Sequence, residues 1–161
     1  IVGDDPDMAG AFECIAKVGT SGEDPPLGDA MIAALSSKLN GLKGCNEGFL
    51  REDALLVVVL ITDFEDTESK SYAKTQYEAI VAAKGSASAV VMLAIVARPY
   101  PEDGILEPGC NYDTDNKGNF RDLLAKFPYA VTGDTCAPTY APFFDEAAAK
   151  IGEACGSFIP Q

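Results

Sequence analysis

Residues Ala54 to Thr62 read ALLVVVLIT, an unbroken apolar run, and the acidic segment Asp63-Phe-Glu-Asp-Thr-Glu-Ser69 follows it directly. A continuous run of β-branched and other apolar residues predicts a strand buried on both faces, as in the parallel sheet of an α/β protein. Such a sheet binds its ligands at the carboxyl ends of its strands. Asp63 is therefore the first candidate functional residue. The alternative for Asp63 is a turn or helix N-cap role after a core strand.

A second apolar run, Ala89 to Ala97 (AVVMLAIVA), predicts another fully buried strand. Between the two runs, Ser69 to Lys84 has the apolar spacing of a helix, and Gly85 supplies a stop signal. A strand, a helix and a strand in this order predict a βαβ unit with parallel pairing. We therefore expect Leu55 to Thr62 and Val90 to Val96 to be adjacent, parallel and central strands.

The remaining sequence predicts mainly helices, which need a wider sheet than the chain supplies. Doubly wound sheets usually have about five or six strands, so further strands are expected from elsewhere. The predicted fold is a single three-layer, doubly wound, mostly parallel α/β domain over residues 1–161, Rossmann-like, with its N-terminal strands missing from this chain. The other predicted elements are helices over Met8 to Val18, Pro26 to Asn40, Asn119 to Phe127 and Phe143 to Ile159, a brief strand at Tyr129 to Val131, and a long loop over Arg98 to Gly118.

Composition narrows the possible partners. Twelve basic and 25 acidic residues give a net charge of −13, which repels nucleic acid and anionic lipid and favours cations or basic protein surfaces. The chain has no histidine, so a bound metal is expected to be a hard, oxygen-liganded cation such as Mg²⁺ or Ca²⁺, and a zinc hydrolase is disfavoured. No segment has the length and composition of a membrane span. If the protein is exported, its signal has been removed.

The five cysteines, at positions 14, 45, 110, 136 and 155, include no CxxC pair, which disfavours zinc-ribbon and thioredoxin-like sites. Their scatter suggests disulfides and an oxidising compartment outside the cytoplasm, whether secreted, cell-surface or periplasmic. We predict a disulfide between Cys110 and Cys136 that fixes the long loop to the segment after Tyr129. At most two of the other three cysteines then pair with each other, and at least one is left over.

The segment Val57 to Asp66, VVVLITDFED, resembles the fourth strand of von Willebrand factor A (VWA) domains, an apolar run that ends in Thr-Asp. The order of elements is similar as well, because a Gly-Thr loop at Gly19-Thr20 precedes a helix, this strand, a further helix and strand, and a final helix. The run from Phe12 to Pro160 resembles the C-terminal part of the A-type domains of bacterial exported proteins and lipoproteins.

The resemblance implies part of a metal-ion-dependent adhesion site. That site combines a DxSxS motif after the first strand, a loop threonine and a strand-end aspartate. Asp63 matches the aspartate, and Thr20 matches the threonine loosely because Ser21 to Pro26 lengthens the approach to the helix. DxSxS is absent from the chain. The resemblance thus implies an incomplete Mg²⁺ or Ca²⁺ site and a protein partner that includes the missing N-terminal half.

Two other acidic segments have simpler interpretations. Glu65, Asp66 and Glu68 are interpreted as a solvated acidic turn before a helix, stabilised by the helix dipole, although they can also add negative potential to the site. Asn111 to Gly118 superficially resembles a calcium loop. An EF-hand is disfavoured there, because Lys117 occupies a ligand position and Leu124 replaces the bidentate acid.

The leading hypothesis, which the resemblance implies, is a non-enzymatic, extracytoplasmic binding, adhesion or structural module of the A-domain type, in which a divalent cation can bridge to an acidic residue of a partner. The alternative is a receiver-like signalling domain with Asp63 as phosphoacceptor. A receiver needs an acidic pair after its first strand and a lysine after a late one. Asp4 and Asp5 follow no strand, and Arg98-Pro99 follows the second run. A conventional hydrolase lacks any serine elbow, histidine or paired-acid framework.

Overall fold

A computed structural model describes residues 26–64, 66–113 and 119–159, together with residues 6, 7, 9, 10 and 13. Most of the predicted helix over Met8 to Val18 lies outside these residues. The described elements are helices and parallel strands mixed along the sequence, which makes the chain an α/β protein. In chain order they are α1 (Leu27–Leu35), α2 (Ser37–Asn40), β1 (Leu56–Ile61), α3 (Ala73–Lys84), a 3-10 turn (Ala87–Ala89), β2 (Val90–Val96), β3 (Arg98–Pro99), β4 (Tyr112–Asp113), α4 (Asn119–Leu124), β5 (Ala130–Asp134) and α5 (Ala141–Ser157).

The main sheet has three parallel strands in the order β1-β2-β5. The register of the first pair runs from Leu56 opposite Val90 to Ile61 opposite Ile95. The second pair begins with Met92 opposite Ala130. These pairings confirm that the two apolar runs form adjacent parallel strands joined through a helix, and that the weak run after Tyr129 is also a strand. A separate two-stranded pair joins β3 to β4.

Strand β2 is buried along its whole length because helices cover both faces of the sheet there. On one face, α3 and α4 pack against Val90, Met92 and the other even-numbered residues of β2. On the opposite face, α5 packs through Phe143 and Ala147 on the alternate β2 residues. A strand with apolar cover on both sides needs apolar residues at every position, which explains the sequence AVVMLAIVA.

Strand β1 differs from the prediction that it is central. Among the described residues it is an edge strand, and its burial alternates. Val57, Val59 and Ile61 are 37%, 53% and 63% exposed, whereas Leu56 is buried. Helix α1 helps to cover the face that carries Leu56, Val58 and Leu60. An apolar run indicates that a strand can be covered on both faces, but it does not identify the covering element.

Two helix boundaries also differ from the sequence prediction. The helix expected to continue to Asn40 is interrupted at Ser36, whose ψ of 150° is extended. The Ser36 hydroxyl donates a hydrogen bond to the Ala33 carbonyl (2.6 Å), so a local side-chain bond replaces helical continuation. Helix α3 begins at Ala73 rather than Ser69, and it ends as predicted at Gly85, which adopts a left-handed φ of 75°.

Candidate functional site at the carboxyl edge of the sheet

Asp63 lies on an exposed bend directly after β1. Thr62 stabilises the bend through its hydroxyl group. The hydroxyl accepts a hydrogen bond from the Phe64 N–H (3.2 Å) and donates one to the Phe64 carbonyl (3.0 Å). The Asp63 carboxylate accepts a hydrogen bond from the Asn111 side-chain amide (3.2 Å). The strand-end aspartate therefore faces the loop that follows β2, at the edge where an α/β sheet binds ligands.

The long loop that contains Asn111 is fixed to the same edge. The Arg98 N–H donates to the Asn111 carbonyl (3.1 Å) within the β3–β4 pair. Cys110 and Cys136 form a disulfide with their Cα atoms 5.5 Å apart, as the sequence predicted. The Glu107 N–H donates to the Tyr112 hydroxyl (2.8 Å). The loop is thus returned to the sheet at its end, beside Asp63.

Arg98 forms ion pairs with two carboxylates at this edge. Its Nε donates to Asp134 Oδ2 at 2.6 Å, and one terminal nitrogen lies 2.9 Å from Glu107 Oε2. The hydrogen bond to Asp134, and then that to Glu107, raise the pKa of the guanidinium above its already high value. Asp134 also accepts a hydrogen bond from the Cys136 N–H (2.7 Å). Arg98 therefore joins the loop to β5 next to the disulfide.

Asp66 has a structural role that the sequence did not reveal. It is 9% exposed, and its Oδ2 accepts the Gly28 N–H at 2.7 Å while its Oδ1 accepts the Ser69 N–H at 3.1 Å. The residue at the start of α1, Pro26, makes no side-chain cap bond. Asp66 supplies the missing cap from across the fold, so its interpretation as part of a solvated turn is wrong. Glu68 is exposed as expected, and Glu65 lies outside the described residues.

Asp29 completes a reciprocal connection between α1 and the segment before α3. Its carboxylate accepts the N–H groups of Lys70 (2.9 Å) and Ser71 (3.0 Å), and its own N–H donates to Ser69 Oγ (3.0 Å). Hydrogen bonds from the Ser71 side chain and the Lys70 backbone lower the pKa of Asp29. These bonds hold the backbone N–H groups of Lys70 and Ser71 against α1, and α3 begins after them at Ala73.

Gln76 and Gly28 close the junction between these two segments. Gln76 is fully buried, and its amide nitrogen donates to the carbonyl (3.1 Å) and hydroxyl (3.3 Å) of Ser71. A Cβ atom at position 28 would overlap the Gln76 amide, so glycine lets the buried Gln76 side chain keep this position. The start of α1 is therefore held against the segment that follows β1.

The structure describes only part of the predicted metal site. Asp63 is at the predicted edge, and Thr20 lies outside the described residues, so their separation stays a prediction. Within residues 26–64, 66–113 and 119–159, no group of three or more His, Cys, Asp or Glu side chains could hold a metal ion. An adhesion-type site uses hydroxyl oxygens from serine and threonine as well. The exposed Asp63 carboxylate is a suitable oxygen donor for Mg²⁺ or Ca²⁺.

The remaining cysteines are described only in part. Cys45 and Cys155 are free and exposed, while Cys14 lies outside the described residues.

In the described part of the chain, no helix combines the length and apolarity needed to cross a membrane. Comparison of the sequence and structure with protein-family models, curated proteins and solved structures found no match.

Proposed function

We propose that this chain is part of an extracytoplasmic binding or adhesion module of the VWA type. In this proposal the chain acts together with an upstream segment or partner chain that completes its sheet beyond β1. The proposal extends the α/β architecture to a wider, doubly wound sheet. The observation that carries it is the incomplete cover of β1, an apolar strand with exposed valine and isoleucine side chains.

The backbone of β1 supports the same proposal. The Thr62 N–H donates to the Ile95 carbonyl (3.0 Å), so the backbone of Thr62 points toward β2. Backbone direction alternates along a strand, and Val57, Val59 and Ile61 therefore direct their N–H and C=O groups toward the free edge. An exposed edge of this kind is a template for pairing with another strand. Among the described residues, no strand pairs with that edge.

The exposed side chains require a second covering element. Helix α5 contacts β5 and β2, and the second core cluster contains Val91, Leu93 and Ile95 of β2. Val57 and Val59 lie beside Val91 and Leu93 in the register, but they remain partly exposed. A strand added at the edge pairs the backbone, and a helix above β1 covers the side chains. A strand–helix unit would supply both, as in other α/β sheets.

A divalent cation would act at the carboxyl edge of the completed sheet. Asp63 and Thr20 would contribute a carboxylate and a hydroxyl, and the upstream DxSxS motif would supply the remaining oxygens. Mg²⁺ prefers six oxygen ligands. Few formal charges around the ion would leave it electrophilic, so that it could recruit a carboxylate from a partner. The disulfide Cys110–Cys136 supports an oxidising, extracytoplasmic setting.

Amide hydrogen exchange tests whether the edge is open. In the 161-residue chain, we expect Val57 and Val59 to exchange at least about a hundredfold faster than Val58 and Leu60, because only the latter amides point toward β2. Extending the chain with its natural upstream sequence, or adding the partner chain, should slow exchange at Val57 and Val59. Slow exchange at these two amides in the 161-residue chain would show that its own residues cover the edge and would refute the proposal.

A further inference from the structure

We infer that residues 100–107, at the tip of the loop after β2, form a preorganised docking element for another protein whose surface offers an apolar pocket bordered by lysine or arginine. These residues are named here the loop tip. The inference uses only the loop and its contacts with the sheet. It therefore does not depend on a strand that completes the sheet beyond β1. It goes beyond the proposed function by naming a second surface and the chemistry that this surface recognises.

The base of the loop is attached to the sheet at several points. Cys110 is joined by a disulfide to Cys136, which follows β5. Arg98 forms ion pairs with Asp134 (2.6 Å) and with Glu107 (2.9 Å). Strand β3 pairs with β4, so the two ends of the loop also lie side by side. A covalent bond, two ion pairs and a backbone pair therefore fix the base of the loop to the carboxyl edge of the sheet.

The loop tip contains a turn with hydrogen bonds of its own. The Gly104 N–H donates to the Pro101 carbonyl (3.0 Å), and Gly104 adopts a left-handed φ of 70°. The next N–H, that of Ile105, donates to the Asp103 side chain (3.0 Å). An aspartate that bonds the backbone two residues further on is a common device for fixing a turn. The backbone that carries Ile105 is therefore held locally as well as at the base of the loop.

Tyr112 joins the two ends of the loop tip. Its hydroxyl accepts a hydrogen bond from the Glu107 N–H (2.8 Å), and its ring packs edge-to-face with that of Tyr100 (6.3 Å between ring centroids). A loop that is already ordered loses less conformational entropy when a partner binds it. These contacts thus prepare the loop tip for binding at a lower entropic cost than a free segment of the same length.

Three apolar side chains of the loop tip are exposed on this fixed backbone. Ile105 is 72% exposed, Leu106 is 48% exposed and Tyr100 is 44% exposed. Single exposed apolar side chains are ordinary on protein surfaces, whereas a group of them indicates an interaction site. Aromatic and aliphatic side chains that fill a pocket on the partner contribute most of the binding energy in many interfaces. Ile105 is the most exposed of the three and is therefore the expected anchor.

Charge selects the chemistry around that pocket. The acidic residues Glu102, Asp103 and Glu107 are exposed, and residues 99–113 contain no lysine or arginine. Arg98, at the base of the loop, is shared between Glu107 and Asp134, so it does not balance the other two acids. A protein with lysine or arginine at the border of its pocket is complementary to this surface.

The next basic residues along the chain are Lys117, which lies outside the described residues, and Arg121. The part-buried Arg121 guanidinium donates to the Ala97 carbonyl at the end of β2 (2.6 Å). A second copy of this chain would add another net charge of −13, and anionic lipid would also be repelled. A basic border is compatible with an acidic group at Asp63, because Asp63 contacts the loop at Asn111 and not at the loop tip.

A library of single-domain binding proteins with randomised concave surfaces, selected on the 161-residue chain, tests the docking element. We expect most selected binders to lose at least about tenfold in affinity for Ile105→Asp, because the variant replaces the apolar anchor with a charge. The matched control is Leu42→Asp, since Leu42 is 84% exposed outside the loop. This control should change affinity by less than about twofold. If most binders tolerate Ile105→Asp, the loop tip is not a preferred docking element and the inference is overturned.

A neutral double variant, Glu102→Gln with Asp103→Asn, tests the basic border of the partner. Asparagine keeps a side-chain oxygen that can accept the Ile105 N–H, so the turn should persist. Binders that depend on Ile105 should carry more lysine and arginine at their contact positions than the unselected library does. The double variant should weaken them at least about threefold at low salt, and less at high salt. Unchanged affinity for the double variant at low salt would overturn the basic border.

Nitrogen-15 relaxation of the free chain tests preorganisation. Backbone order parameters at Ile105 and Leu106 should be near the value of about 0.85 that is typical of rigid backbone, and values below about 0.6 would overturn a preorganised loop. Two further measurements test other occupants. Sedimentation with phosphatidylcholine vesicles, or self-association in sedimentation velocity, would overturn a separate protein partner if Ile105→Asp abolished it.

The outcomes separate this inference from the proposed function. Fast amide exchange at Val57 and Val59, together with binders that tolerate Ile105→Asp, would overturn the docking element and leave the open edge of β1 intact. Slow exchange at these amides, together with binders that depend on Ile105, would refute the proposed function and support the docking element.

Discussion

Replacing Asp66 by alanine should destabilise the protein by about 2–3 kcal/mol. The carboxylate accepts the Gly28 N–H at 2.7 Å and the Ser69 N–H at 3.1 Å, and alanine leaves both donors without this acceptor. A helix cap contributes about 1 kcal/mol, and hydrogen bonds to charged groups contribute about 1.5–3 kcal/mol each. Release of the buried carboxylate from its desolvation cost offsets part of this sum. The estimate therefore lies below the simple total of the two bonds.

The assay is urea unfolding followed by circular dichroism, with thermal unfolding as a second measurement. For a chain of this length, 1 kcal/mol corresponds to about 2–4 °C, so Asp66→Ala should lower Tm by about 4–12 °C. Asp66→Asn keeps one carbonyl acceptor but directs an NH₂ group at the other donor. We therefore expect Asp66→Asn to fall between the wild type and Asp66→Ala in stability.

Glu68→Ala is the matched control, because Glu68 is an exposed acidic residue in the same segment. Its effect should remain within about 0.5 kcal/mol. A change below about 0.5 kcal/mol for Asp66→Ala, or equal effects of the two alanine variants, would refute the assignment of Asp66 as the cap of α1. It would instead support the interpretation of Asp66 as a solvated acidic residue.

Four further predictions concern the strand, the loop, acid stability and the metal. Val58 is half-buried against the core, so Val58→Asp should destabilise the domain strongly by placing an unpaired charge there, whereas Val59→Asp on the exposed face should leave a cooperative thermal transition. Cys110→Ser should lower stability by about 3 kcal/mol in non-reducing urea unfolding, and an unchanged midpoint would contradict a stabilising bond. Folding lowers the pKa of Asp29, so the ionised carboxylate stabilises the folded state above the ordinary pKa of 3.8, and this stabilisation is lost as the pH falls through the folded pKa. In Asp29→Asn, the free energy of unfolding should therefore fall less steeply on acidification than in the wild type. Calorimetry should detect weak or no Mg²⁺ binding to the 161-residue chain. Adding an upstream segment that carries a DxSxS motif should restore Mg²⁺ binding, and Asp63→Ala should abolish the restored binding. Tight Mg²⁺ binding to the chain alone that persists in Asp63→Ala would contradict the proposed site.

Several features of the fold could be predicted from local sequence because they depend on near neighbours or on composition. The apolar run at β2 required cover on both faces, and the intervening helical pattern required parallel pairing with β1. Gly85 ends α3 in the left-handed conformation that glycine favours. The disulfide between Cys110 and Cys136 joins residues 26 apart, and its prediction depends instead on the length of the loop, which needs an attachment to the sheet.

Features that depend on distant neighbours could not be predicted. Asp66 caps α1 through the N–H of Gly28, which lies 38 residues earlier in the chain, and no local pattern relates these positions. The sequence therefore predicts a solvated acidic segment after β1, although Asp66 is buried. One local feature could not be predicted either: Ser36 interrupts a favourable helical pattern through a bond to Ala33, and this bond competes closely with helix continuation.

The sequence by itself determined that β1 is an apolar strand followed by Asp63, and that a helix separates it from β2. Only the tertiary structure decided that β1 lies at the edge of the described sheet, with Val57, Val59 and Ile61 exposed. The physical reason is that hydrophobicity belongs to each residue, whereas burial depends on which other elements reach it. The same run of apolar residues can therefore form a covered central strand or a partly exposed edge strand.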